Sequence, residues 1–336
     1  MFSRLMSTTS LLTVALAFTA HGQPASARKP NAAKAIPRTL DGHPDLQGIW
    51  LNNSATPFER PKELEGRQLL TDVEVDELNR RAKKIFGSGQ SDAAAPDAFF
   101  LAALRNVEQY KSAGATDSSE RVVELEIDNR TSLITDPPDG KMPPYTEAGQ
   151  RRRAAYGRAR SGMGNPSGPK EVAPGDRCIT FGVPRVNGVY SAGLHGYYQI
   201  VQTQDHVLLF SENIHETRII PLDGRPHLPD HIRSWSGDSR GRWEYNTLVV
   251  DTTNFNPELN SLGISENFYL IERFTRVAPD EIRYEMTFDD ASTWTKPWTA
   301  MIRLKRTDVK LYEFACHEGN ELIMQTILSG NRPNQR

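Results

Sequence analysis

Cysteine is scarce in this 336-residue chain, occurring only at Cys178 and Cys316. Two thiols cannot build a cysteine-based zinc centre or the dense disulfide framework of a small secreted scaffold. An excess of one charge is also lacking, since 40 Lys and Arg face 42 Asp and Glu. Nucleic-acid binders ordinarily carry a basic surplus, so nucleic acid is not an expected partner, though a local basic pocket for an anion stays open. Long apolar runs are missing too. The longest, Leu11–Ala20, has ten residues, whereas a helix crossing the membrane needs about 20, so no membrane span is expected. No phosphate-binding loop and no Gly-x-Gly-x-x-Gly after a strand occurs, which removes the usual nucleotide, nicotinamide and flavin sites, and no cofactor is expected. Gly237-Asp238-Ser239-Arg240-Gly241 reads as a turn into a strand. It is not the strand-to-helix elbow of a serine nucleophile.

The N-terminus is informative. Arg4, the apolar Leu11–Ala20 stretch and small residues at Ala20, Gly22, Ala25 and Ala27 spell a secretory signal peptide over 1–27. A periplasmic or secreted location is expected. In such a compartment Cys178 and Cys316 read as a disulfide, the alternative being two buried thiols. Closing so long a loop would stabilise the fold by roughly 4–5 kcal/mol in the entropic account.

Residues 28–39 are a polar lead-in expected to be flexible. Residues 40–176 hold a first strand at Gly48-Ile49-Trp50 and then a helical and loop insertion. Leu70–Phe86 is the clearest helix: Thr71 and Glu74 have capping-box spacing, Val73, Leu78, Ala82 and Ile85 form a stripe, and Gly87 can end it. Gly87–Pro96 is a polar linker. Glu120–Asp128 alternates as a strand and turns into Thr131–Thr135. Asp136–Pro144 is stiffened by prolines. Thr146 caps a basic helix through Arg160, with Arg151, Arg152 and Arg153 on a solvated face. From 177 to 330 the pattern is β: Tyr197–Thr203, His206–Ser211, Ile214–Ile220, Arg242-Trp243, Thr247–Thr253, Phe268–Val277, Glu281–Phe288, Trp298–Arg306 and Lys310–Cys316. The expected fold is mainly β, an antiparallel up-and-down barrel of about eight strands. It closes on itself to remove its edges, forms one domain with 40–176, and can hold one small ligand.

Gly48-Ile49-Trp50 ahead of an antiparallel meander resembles the Gly-x-Trp opening of lipocalins and other calycins. The resemblance implies that Trp50 plugs the barrel beneath a late arginine, Arg303 or Arg306. The runs 132–146, 215–227, 237–255 and 312–320 resemble a widespread group of exported, uncharacterised bacterial proteins. That implies a shared barrel and export, and no activity.

Chemistry-bearing residues concentrate between Asn213 and Phe255, with three histidines, five arginines, six acidic residues and two tryptophans. Such side chains prefer water, so their density beside apolar strand residues points to a site. Alternation along Ile214–Ile220 puts Glu216 and Arg218 on one face and His215 on the other. An inward Glu216 and Arg218 could clamp a carboxylate or phenolate; an outward ion pair is the bland alternative. Among His215, His227, His231 and His317, acid–base use is favoured over metal binding, because Pro226 and Pro229 break the helix that His227-x-x-x-His231 would need. Asp238 is expected to bond its own turn. Glu272, if it points inward, is a candidate base. His317 follows Cys316, which would hold it rigidly. The catalytic candidates are therefore His215, Glu216, Arg218, Glu272 and His317. Tyr197, His227, Arg240, Trp243, Asp251 and Asn254 are candidates for holding a substrate. Tyr197 belongs to an aromatic cluster with Tyr190, His195 and Tyr198.

The favoured reading is a periplasmic, cofactor-independent acid/base enzyme, a lyase, isomerase or hydratase on a small aromatic or apolar substrate. Loss of formaldehyde from a hydroxymethyl aryl compound is one concrete form. The alternatives are a lipocalin-type carrier, expected to have few inward charges, and an envelope-associated structural protein with a filled lumen.

Overall fold

Strands β6 (Asp238–Glu244), β7 (Thr247–Thr253), β8 (Tyr269–Ala278), β9 (Glu281–Asp289) and β10 (Trp298–Thr307) form an antiparallel meander in chain order. Period-two alternation sets which face is buried. In β9, Ile282, Tyr284, Met286 and Phe288 point in; in β10, Trp298, Ala300, Ile302 and Leu304 do so. Phe288 and Trp298 stack at 3.9 Å, an arrangement worth about 0.5–1.5 kcal/mol beyond burial. β1 (Gly48–Leu51) continues the sheet, pairing β10 on one side and β3 (Tyr197–Gln202) on the other. β4 (His206–Ser211) and β5 (Glu216–Pro221) complete it, and β2 (Ile134–Asp136) pairs β10 off this path. In this computed structural model, residues 35–87, 90–92, 94–111, 125–160, 165–185, 196–258 and 260–329 are described. The signal peptide, most of the lead-in, Tyr190 and His195 lie outside them.

The result is a nearly closed antiparallel barrel whose end strands, β5 and β6, face each other without a backbone ladder among the described residues. Side chains close this seam. Arg218 on β5 donates to Ser239 on β6 at 3.0 Å. Gly241 on β6 leaves room for its neighbours: a Cβ there would lie 2.6 Å from Leu222 and 2.8 Å from Ile220.

Three expectations need correction. Lys310–Cys316 is not a strand; β1 occupies the place expected for it, beside β10. Tyr312, Phe314 and Cys316 alternate, but Leu311 falls on the opposite face, Val309 and Tyr312 stay exposed and no residue of the run is fully buried. The segment is held instead by the Cys178–Cys316 disulfide and by the Tyr312 amide, which donates to Glu212 at 2.9 Å. The strand expected from Ile214 begins at Glu216, because Ile214 and His215 adopt left-handed φ of 57° and 43° and turn the chain out of β4. Of the strand expected over Glu120–Asp128, residues 120–124 lie outside the described ones, and the described part, Leu125–Asp128, makes an isolated bridge of Ser54 with Glu126.

Helix α1 (Asp72–Phe86) carries the expected capping box. It packs on α2 (Pro96–Arg105) through stacked Phe86 and Phe99 at 4.6 Å. That helix was not anticipated, although Pro96 at its first turn and left-handed Asn106 at its end are ordinary helix signals. In α3 (Glu147–Ala159), Arg152 is no solvated residue: it donates to Gly263 O at 2.8 Å and Ser292 O at 2.9 Å. The C-terminal α4 (Asn320–Ser329) buries no residue. Within the barrel Trp50 is flanked by Arg276 at 5.3 Å and Arg306 at 6.0 Å, whereas Arg303 pairs with Glu281 at 2.9 Å.

Candidate functional site

Alternation along β3, β4 and β5 aims Tyr198, Leu209, Ser211, Glu216 and Arg218 at the lumen. Tyr198 and Ser211 are direct cross-strand partners. The loop Gly182–Arg185 lies over them and Tyr284 faces them from β9. Together they line a narrow, open-mouthed pocket. Apolar side chains fill much of the remaining interior, among them Trp50, Phe274, Met286 and Trp298.

One wall of the pocket is a buried ionic network. Arg218 and Glu272 are 5 % and 0 % exposed. Arg218 donates from Nη1 to Glu272 Oε1 at 2.9 Å and from Nη2 to Oε2 at 2.5 Å. Nη2 also reaches Ser239 at 3.0 Å and Thr252 at 3.1 Å. Burial opposes the charge of Arg218, but the Glu272 carboxylate overcomes it and the guanidinium is held even more firmly protonated than usual. The Tyr284 hydroxyl donates to Glu272. Burial, and then the Glu272 charge, hold this phenol well above its ordinary range. Glu272 itself is behind Arg218 and does not line the pocket.

Glu216 does line it. Its carboxylate accepts from the hydroxyls of Thr180, at 3.1 and 3.2 Å, and Ser236, at 2.5 Å. Arg185 also lines it, with its guanidinium 5.5 Å from the Tyr198 ring centre. It is 7 % exposed.

The other anticipated residues are elsewhere. His215 and His317 are exposed, with ring centres 6.1 Å apart, and neither lines the pocket. His227 stands between two carboxylates, Nδ1 to Asp238 at 3.0 Å and Nε2 to Asp251 at 2.7 Å. Arg240 binds Asp238 at 2.7 Å, and Arg242 binds Asp251 at 2.7 Å. Asn254 donates to Leu228 O and Pro229 O. These contacts fasten the β5–β6 loop to β6 and β7. Asp238 bonds the Leu228 amide across the loop and not its own turn. Burial alone would raise its carboxyl; the Leu228 amide, Arg240 and His227 bring it below the usual value. Trp243 stacks on His43 at 4.6 Å, away from the pocket. Tyr197 is buried but faces away from the lumen, which Tyr198 enters. Ser239 lies within β6, bonded to Arg218 and Thr252, so the Gly-x-Ser-x-Gly spacing forms no nucleophile elbow.

Arg185, Ser211 and Tyr284 were missed. Ser211 and Tyr284 carry a faint signal, each being a polar residue on an otherwise apolar alternating face. Arg185 has none, because its loop has no periodicity. Among the described residues no group of three or more His, Cys, Asp or Glu could hold a metal ion.

No family model and no curated protein matches the chain. Among solved structures it is similar to a secretary abundant heat soluble (SAHS) protein from Ramazzottius varieornatus. The identity is 13 % and the TM-score 0.24, covering 34 % of this chain and 75 % of that one. A likeness at that score carries no argument about function.

Proposed function

We propose that the protein is exported and binds a small organic molecule in the barrel pocket, as a carrier or receptor would. The observation that carries this is the convergence of Arg185, Tyr198, Ser211, Glu216 and Arg218 on one open pocket inside a largely apolar barrel. Convergent polar groups in an apolar concavity are what a small-molecule site needs. Inward Glu216 and Arg218 run against an apolar carrier lumen of simple lipocalin type, and the open pocket runs against a purely structural role. Backbone NMR shifts under titration with small aryl and alkyl fragments test the reading. Saturable shifts at Gly182–Arg185 and Leu209–Arg218 are expected. Saturation elsewhere only would overturn it.

A second reading is conversion of the bound molecule by proton transfer, in the lyase, isomerase or hydratase class. Glu216 favours it, being a carboxylate in the pocket wall with Tyr284 opposite. On this reading Glu216→Gln abolishes turnover while fragment binding persists. The exposed His215 and His317 can then be replaced with little effect.

A further inference from the structure

The pocket holds more hydrogen-bond donors than its own acceptors satisfy. Arg185 Nη1, Arg218 Nε, the Tyr198 hydroxyl and the Ser211 hydroxyl are all buried without a hydrogen-bond partner among the described residues. Their residues are 7 %, 5 %, 5 % and 6 % exposed, and all four line the same pocket. Buried polar groups are nearly always paired, so four orphans in one place call for a common partner. Guanidinium nitrogens only donate. The missing partner must therefore bring acceptors.

Charge narrows the choice. Glu272 neutralises Arg218 directly. Arg185 has no ion-pair partner among the described residues; its contact is the Tyr198 ring face. A buried guanidinium without a counter-charge is unfavourable, and an anion relieves this. Among the described residues Glu216 is the one carboxylate in the pocket wall. Its oxygens are already engaged by Thr180 and Ser236, and its charge repels a second anion from that side. The anion therefore belongs beside Arg185, Tyr198 and Ser211. Val183, Pro184 and Leu209 supply the apolar part of the wall.

We infer that the pocket seats the carboxylate group of a small organic acid whose apolar body rests at the open mouth, its oxygens taken by Arg185 Nη1, Arg218 Nε and the Tyr198 and Ser211 hydroxyls. This rests on the binding role proposed above and specifies its ligand. A carboxylate offers two oxygens and about four lone-pair sites, which matches the four unpaired donors, and guanidinium–carboxylate bonds are the strong, charge-assisted kind.

Benzoate and benzamide, nearly equal in shape, separate charge from fit. Each is titrated into the mature protein and followed by backbone NMR shifts. Benzoate should saturate Gly182–Arg185 and Leu209–Arg218 and bind at least about tenfold more tightly than benzamide. Arg185→Gln should remove that preference, and its spectrum reports whether it folds. Tyr198→Phe deletes only a hydroxyl, serves if Arg185→Gln fails to fold, and should weaken benzoate several-fold while sparing benzamide. Equal affinity of the two probes at this pocket would overturn the carboxylate assignment and leave the binding role intact. Shifts for neither probe at these residues would overturn both.

Discussion

Replacing Glu272 with glutamine removes one charge and almost no volume, which isolates the electrostatics of the seam. Glu272 is fully buried and accepts two bonds from Arg218 and one from Tyr284. In the variant an amide N–H2 must face a guanidinium or phenol donor, and Arg218 is left buried without its counter-charge. Breaking one side of a buried ion pair costs about 3–5 kcal/mol. For a domain of this size that lowers Tm by roughly 5–8 °C. The pair as a whole behaves differently, because desolvation offsets most of its attraction. Arg218→Met with Glu272→Leu should restore stability to within about 1–2 kcal/mol of wild type or exceed it. Ser239 and Thr252, which also bind Arg218, bond each other at 3.0 Å, so the double variant strands only the Tyr284 hydroxyl, which loses Glu272 and accounts for any residual cost of about 1–2 kcal/mol. Chemical denaturation of the wild type, Arg218→Met, Glu272→Leu and the double variant closes the cycle, with Glu272→Gln run alongside. A Glu272→Gln cost under about 1 kcal/mol, or single effects that merely add in the double variant, would refute the account.

At the seam, Gly241→Val places carbon 2.6 Å from Leu222 and should cost about 1–3 kcal/mol by overpacking. The control Gly157→Ala, in α3 with nothing within 4 Å, should raise stability by about 0.5–1 kcal/mol; both are read by denaturant midpoint. Reducing Cys178–Cys316 should cost about 2–5 kcal/mol and make 308–329 the first segment cut by protease, while equal Tm with and without reductant would contradict this. Tyr284 has its phenol raised well above 10.0 in the folded state, so its contribution is complete below the unfolded tyrosine value and is lost as pH climbs past it. Phenolate absorbance should show this tyrosine ionising only with unfolding, and Tyr284→Phe should flatten the alkaline loss of stability.

The barrel was legible where one face alone is buried. β8, β9 and β10 alternate over nine or ten residues, and their hairpins follow from intervening turn residues. The inward pair Glu216 and Arg218 was legible by the same parity. What parity cannot convey is partner choice. β1 has four residues, yet it joins the two halves of the sheet because β10 and β3 both present open ladders to it. The 310–316 run alternates at Tyr312, Phe314 and Cys316, yet stays outside because β1 already occupies the edge of β10. Residue type without position could not place the histidines: His227 stands between Asp238 and Asp251, and left-handed backbone at Ile214 and His215 turns His215 outward.

The location of the pocket has a physical reason. Elsewhere around the barrel, neighbouring strands are joined by backbone hydrogen bonds and their inward residues can all be apolar. β5 and β6 lack that ladder, so polar side chains must do the joining, and Arg218 does so through Ser239, Thr252 and Glu272. A guanidinium brought inside for that purpose keeps its Nε free of any partner and faces the hollow beside β3 and β4. Closing the seam with side chains therefore creates a buried donor next to open space, and Arg185 adds a second one to the same pocket. Structural closure and ligand recognition then share one residue. Arg218 variants should lose stability and carboxylate affinity together, whereas Arg185 variants should lose affinity alone.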